Sequence, residues 1–123
     1  MSAVPTRRAG PRADVLSRLF QVLADPTRVR ILELLLDGER NVSELVEALG
    51  LPQGRVSSHL ACLRWCGFVG TRRAGKYVYY SLADERVVSL LRLAHGMLTD
   101  HAGAIATCAC CAPGQVPVVV HAP

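Results

Sequence analysis

The sequence predicts a mainly α-helical fold carrying a β-hairpin wing, a winged helix-turn-helix. Three observations predict it. A short helix over 43–49, a tight turn and a second helix over 53–66 follow one another with helical apolar spacing. Two β-rich runs come next, with cations gathered at the tip between them. Two further helices with wide apolar stripes flank this block. The 123 residues fit one compact domain. Fourteen Lys and Arg against ten Asp and Glu give a formal charge of +4, a mild basic excess that suits a nucleic-acid partner.

In chain order, residues 1–12 read as a disordered basic arm, because Pro5, Gly10 and Pro11 interrupt any helix there. Arg7, Arg8 and Arg12 are candidates for weak phosphate contacts. Residues 13–102 form the DNA-binding and dimerisation domain. Its first helix, 13–24, places Val15, Leu16, Leu19, Phe20 and Leu23 at helical spacing. Asp25 then caps a second helix with Pro26 at its first position. The apolar density of Val29 to Leu36 makes that helix central, and Asp37-Gly38 stops it. Ser43 is the expected N-cap of the third helix, and Gly50 its end.

The helix over 53–66 has three faces. Val56, Leu60 and Leu63 recur at i, i+4 and i+7, a core-facing stripe. Gln53, Arg55, Ser57, Ser58 and His59 put a cation and hydrogen-bonding groups at its front end, where a recognition helix meets DNA. Cys62 and Cys66 are four apart, so both thiols lie on one flank, roughly 6 Å from each other. Gly67 ends the helix. The hairpin runs from Phe68 to Leu82 around Ala74-Gly75, with Arg72, Arg73 and Lys76 as a cationic tip suited to phosphates. Asp84 opens a last helix to about Ala102, with Val87, Val88, Leu90, Leu91, Leu93, Ala94, Met97 and Leu98 on one wide stripe. A domain this small rarely buries two such flanking helices alone, so the first and last helices are expected to form a homodimer. Residues 103–123 read as a flexible tail carrying Cys108, Cys110 and Cys111.

No apolar run approaches the ~18 residues of a membrane span, and the basic N-terminus lacks the apolar segment of a secretory signal. A cytoplasmic protein without membrane contact is expected. Five clustered cysteines in a reducing compartment argue against a disulfide framework and for metal binding or redox chemistry. Thiolates are soft donors, which select Cd(II), Pb(II), Hg(II), As(III), Cu(I) or Zn(II) over hard cations. Three sulfurs suit Pb(II), Hg(II) and As(III), and a fourth donor suits Cd(II) or Zn(II). The redox alternative, a disulfide within the helical pair or the tail, stays open on geometry. No Gly-rich phosphate loop and no Ser/His/Asp set is present, so no enzymatic activity and no organic cofactor are expected.

Three blocks in this order resemble the ArsR/SmtB family of metal-responsive winged-helix repressors. They are Leu23-Ala24-Asp25-Pro26-Thr27-Arg28-Val29-Arg30-Ile31-Leu32, Val56-Ser57-Ser58-His59-Leu60-Ala61-Cys62-Leu63 and Gly75-Lys76-Tyr77-Val78-Tyr79-Tyr80. The finer resemblance is to the CmtR-like, cadmium/lead-sensing branch. It implies that Cys62 and Cys66 bind metal on the recognition helix and that a tail cysteine of the partner subunit completes the site. Cys108 falls near that third position, while Cys110 and Cys111 are extra to the pattern. Two other sites used in the family have no counterpart here. Residues 43–49 hold no cysteine, and the last helix offers Asp84-x-Arg86 and Met97-x-x-Asp100 in place of the Asp/His ligands, with His95 and His101 off the pattern. The resemblance implies a repressor of double-stranded operator DNA that a thiophilic metal releases: Cd(II) or Pb(II), or Hg(II), with As(III) as an alternative.

Overall fold

The computed structural model describes residues 10–109, with the side chains of residues 10 and 11 outside the description. The elements run α1 (Gly10–Ala24), α2 (Pro26–Leu35), β1 (Arg40–Asn41), α3 (Val42–Leu49), α4 (Gln53–Trp65), β2 (Val69–Ala74), β3 (Tyr77–Leu82) and α5 (Glu85–Ala106). The chain divides into two compact units at Glu85/Arg86.

In the first unit, α2 starts as its sequence dictates. Asp25 Oδ1 accepts from the backbone N–H of Thr27 at 2.8 Å and of Arg28 at 3.2 Å, with Pro26 at the first helical position. Its Ile31, Leu32 and Leu35 meet Leu45 and Leu49 of α3, Val56, Leu60 and Leu63 of α4 and Val69 of β2 in one buried core. The α4 stripe expected to face inward is that core's centre: Val56, Leu60 and Leu63 are all 0% exposed.

The N-cap of α3 is Asn41, not Ser43. Asn41 Oδ1 accepts from Glu44 N at 2.8 Å, and Glu44 Oε1 accepts from Asn41 N at 2.9 Å. Glu44 stands three residues after Asn41 and closes a reciprocal capping box, whereas Val46, three after Ser43, has nothing to return. Capping from Asn41 also leaves Arg40 and Asn41 extended, and they pair antiparallel with Tyr80 and Tyr79 as a third strand. The sheet order is β1-β3-β2.

α4 ends on Gly67, whose φ of 85° is open to glycine and strained for other residues. Gly67 N donates to Arg64 O at 3.0 Å and Phe68 N to Leu63 O at 2.9 Å, the paired bonds of a Schellman stop. This turn delivers the chain straight into β2. The hairpin turn is Gly75-Lys76, one residue later than Ala74-Gly75, because Ala74 still pairs with Tyr77 and the left-handed φ of 63° falls on Gly75.

α1 begins at Gly10, so residues 10–12 belong to a helix and not to the arm. Gly10 and Pro11 stand in the first turn, where a missing N–H costs nothing. Residues 1–9, with Arg7 and Arg8, lie outside the described residues. α1 exposes Val15, Leu16 and Phe20 at 54–68% of their surface.

In the second unit, α5 runs four residues past the expected end at Ala102, through Gly103, with a non-helical kink at His101 (φ −127°, ψ 19°). Val87 and Leu91 are buried, while Leu93, Met97, Leu98 and Ile105 are exposed. Of the tail cysteines only Cys108 is described; Cys110 and Cys111 lie outside the described residues.

Candidate functional site

α4 places its three faces as a helix with 100° per residue must. With Val56, Leu60 and Leu63 inward, Gln53, Arg55, Ser57 and Ser58 are exposed along its front end. His59, grouped with them in the sequence, is half-buried and turned toward the start of α2, where its Nε2 lies 4.0 Å from Asp25 Oδ1. Burial by itself raises the Asp25 carboxyl. The backbone N–H groups of Arg28 and Thr27, with the charges of His59 and Arg28, outweigh that and hold it below the usual carboxylate range.

One turn further on, Cys62 meets a second residue of α2. Arg28 Nη1 donates to Cys62 Sγ at 3.0 Å, across 34 residues of sequence. Arg28 Nε is buried with no hydrogen-bond partner among the described residues. Cys66, four residues on at the C-cap of α4, completes the row. Although Cys66 is an exposed residue, loss of water around its thiol pushes its pKa above 9.0, and the Cys62 sulfur pushes the same way; the Arg28 charge pulls it back. None of Cys62, Cys66 and Cys108 is in a disulfide. The sulfur flank of α4 is therefore a contiguous pair of thiols with a guanidinium against one of them.

Among the described residues no three His, Cys, Asp or Glu side chains cluster so as to hold a metal ion. Two soft sulfurs four residues apart on one helix fit a thiophilic ion: Hg(II) accepts two thiolates alone, while Cd(II) or Pb(II) calls for one or two further donors. Cys108 is placed in the other unit.

The wing cations divide into two kinds. Arg72 is engaged: its Nε donates to Glu39 Oε1 at 2.9 Å, its Nη2 makes a short ion pair with Glu39 Oε2, and its guanidinium lies 5.1 Å from the centre of the Tyr79 ring. The Arg72 hydrogen bonds hold the Glu39 carboxyl below its usual range and raise the guanidinium in turn. Arg73 is exposed, and Lys76 at the turn is exposed with its Nζ 5.5 Å from the Tyr77 ring centre.

Two features escaped the sequence reading. Arg28 gave one signal, a cation near the start of a helix rich in apolar residues, but helix spacing does not say which helix it faces. Trp65 is 91% exposed on the outer face of α4, opposite the core stripe. With Ser57, Ala61, Arg64 and Tyr80 it lines a groove of about 360 Å³ between α4 and β3. The position of this indole in the second half of the helix, away from the front-end hydroxyls, hid it from the spacing argument.

A helix-turn-helix whose second helix exposes hydroxyls and a cation, followed by a basic hairpin, defines a winged helix-turn-helix DNA-binding regulator. Residues 25–71 match the family model described as bacterial regulatory protein, arsR family. The chain is 47% identical over 95 residues to a probable mercury resistance operon repressor of Streptomyces lividans, covering 77% of this chain and 76% of that one. It is 48% identical over 80 residues to the HTH-type transcriptional regulator CmtR of Mycobacterium bovis, covering 65% of this chain and 68% of that one. The solution structure of the homodimeric winged helix-turn-helix DNA-binding domain of Mb0332 from Mycobacterium bovis matches with a TM-score of 0.69 at 33% identity, over 82% of this chain and 93% of that one. The chain belongs to the ArsR family of bacterial transcriptional regulators, and it is a DNA-binding regulator, not an enzyme. Among the described residues no helix is long and apolar enough to cross a membrane.

Proposed function

We propose that this chain is a homodimeric repressor released from operator DNA by a thiophilic heavy metal, Cd(II), Pb(II) or Hg(II), held by cysteine thiolates. The observation that carries the reading is the placing of Cys62 and Cys66, four residues apart, on one flank of the same helix that presents Arg55, Ser57 and Ser58. A metal-bound sulfur pair there acts on the DNA-reading element itself. One or more of Cys108, Cys110 and Cys111 supplies the remaining donors. The relatives support the reading by their names, a mercury resistance repressor and CmtR.

In this reading Gln53, Arg55, Ser57 and Ser58 meet the major groove, and Arg73 and Lys76 meet backbone phosphates. The exposed apolar side chains of α1 and α5 form the dimer surface. A difference of about 1–3 kcal/mol in DNA affinity between metal-free and metal-bound states changes operator occupancy five- to about 150-fold.

The test is fluorescence anisotropy on a duplex selected from a random-sequence pool, with each metal added in turn. Release by at least one thiophilic metal is expected. Release by peroxide, reversed by a thiol reductant and independent of metal, assigns the pair to redox sensing. Release by As(III) alone assigns it to arsenic. No release by any thiophilic ion or oxidant sinks both triggers.

A further inference from the structure

We infer that Arg28 is the positioning residue that couples the thiol pair to the DNA-reading half of α4. The inference deepens the metal-sensing reading and rests on it.

Two side-chain rungs join α2 to the sulfur flank of α4. Asp25 faces His59 and Arg28 faces Cys62, and each pair of partners is three residues apart along its own helix. The first rung stands beside the exposed front end of α4. The second is made to a sulfur that the proposed function assigns to metal. Arg28 is fixed at that sulfur by one hydrogen bond. Its Nε is buried with no hydrogen-bond partner among the described residues, and its Nη1 donates to Cys62 Sγ at 3.0 Å. A guanidinium carries five donors and no acceptor, so its position follows the negative charge it finds.

In the metal-free chain the acceptor that Arg28 has found is the Cys62 sulfur. Binding a divalent cation displaces the thiol proton and turns a sulfur lone pair toward the cation and its other donors, so the atom that Arg28 grips changes both its charge and its set of partners. The Arg28 contact is then remade around a metal-bound sulfur, while the Asp25–His59 approach involves no proposed metal ligand. α4 is thus held to α2 at Cys62 in one way in the metal-free chain and in another in the metal-bound chain. Metal at the flank is thereby read as a change in how the recognition helix is held. Nothing in this coupling needs Arg28 to touch DNA or metal.

The experiment uses the full chain, Cd(II), and a duplex selected from a random pool. Three quantities are read for wild type, Arg28→Met and Arg28→Lys. They are the sulfur-to-metal charge-transfer band, the ratio of DNA affinities without and with Cd(II), and the melting temperature. In Arg28→Met the band should persist while the ratio falls at least fivefold, chiefly through weaker metal-free binding. Arg28→Lys, which keeps a charged donor, should recover part of the ratio. A wild-type ratio in Arg28→Met, with band and melting transition retained, overturns the inference. So does a ratio lost only because the band is lost, since Arg28 then merely supports the ligands. Should Arg28→Met fail to melt cooperatively, Arg28→Gln replaces it under the same two outcomes. A wild-type chain without any charge-transfer band refutes the metal-sensing reading itself, and the coupling with it.

Discussion

Arg28 and Cys62 are bonded across the α2–α4 interface, guanidinium to sulfur at 3.0 Å. The contact puts a cation against one thiol of the pair on the recognition helix, and it ties that helix to the central helix of the core. A soft-metal site built here begins from a sulfur that already has a structural partner, so occupying it disturbs the fold's own connections.

Replacing Cys66 by Ser should leave metal-free DNA affinity within roughly threefold of wild type, a change under 1 kcal/mol. The response to Cd(II), Pb(II) and Hg(II) should be lost. Cys62→Ser should behave alike, because the hydroxyl still accepts from Arg28. Anisotropy titrations of both variants check this, and an undiminished metal response would remove the pair from the site.

Asp25→Ala should destabilise the fold by about 1 kcal/mol, the usual cost of an N-cap. Its pH dependence has a definite sign. The folded Asp25 carboxyl is held below the ordinary value of 3.8, so its contribution is complete above that value and is lost as pH falls through the lower folded value. Wild-type stability should therefore drop with acid in that window more steeply than the variant's. Urea melts at neutral and acid pH measure both slopes, and parallel slopes would contradict the assignment.

Glu39→Gln should free Arg72 for phosphate contact. DNA affinity should rise, and the slope of log affinity against log salt should steepen by about 0.9 for each phosphate gained. Arg73→Ala or Lys76→Ala should flatten the slope by a similar amount. If all three variants keep the wild-type slope, the wing does not touch the backbone.

Trp65→Ala should leave stability within about 0.5 kcal/mol, because the indole is 91% exposed. It should weaken operator binding by roughly fivefold, about 1 kcal/mol. A matched loss of melting temperature and DNA affinity would instead make Trp65 a packing residue.

Much of this was legible in the sequence. The α4 stripe of Val56, Leu60 and Leu63, the Asp25-Pro26 start and the Gly67 stop each follow from local rules, and each is where those rules put it. Local reading erred where two local solutions competed. Ser43 and Asn41 are both good caps, and only the return bond from Glu44 separates them. It was blind where partners lie far apart in sequence. Arg28 with Cys62, and Glu39 with Arg72, are set by how helices and hairpin pack, which periodicity does not encode.

The most direct measurement joins the two halves of the proposed function in one cuvette. The full chain, bound to its selected duplex, is titrated with Cd(II) while the sulfur-to-metal absorbance and the DNA anisotropy are followed together. Both signals should end at one metal per protomer and both should vanish in Cys62→Ser. DNA release without the absorbance band, or a saturated band with the DNA still bound, would contradict the account.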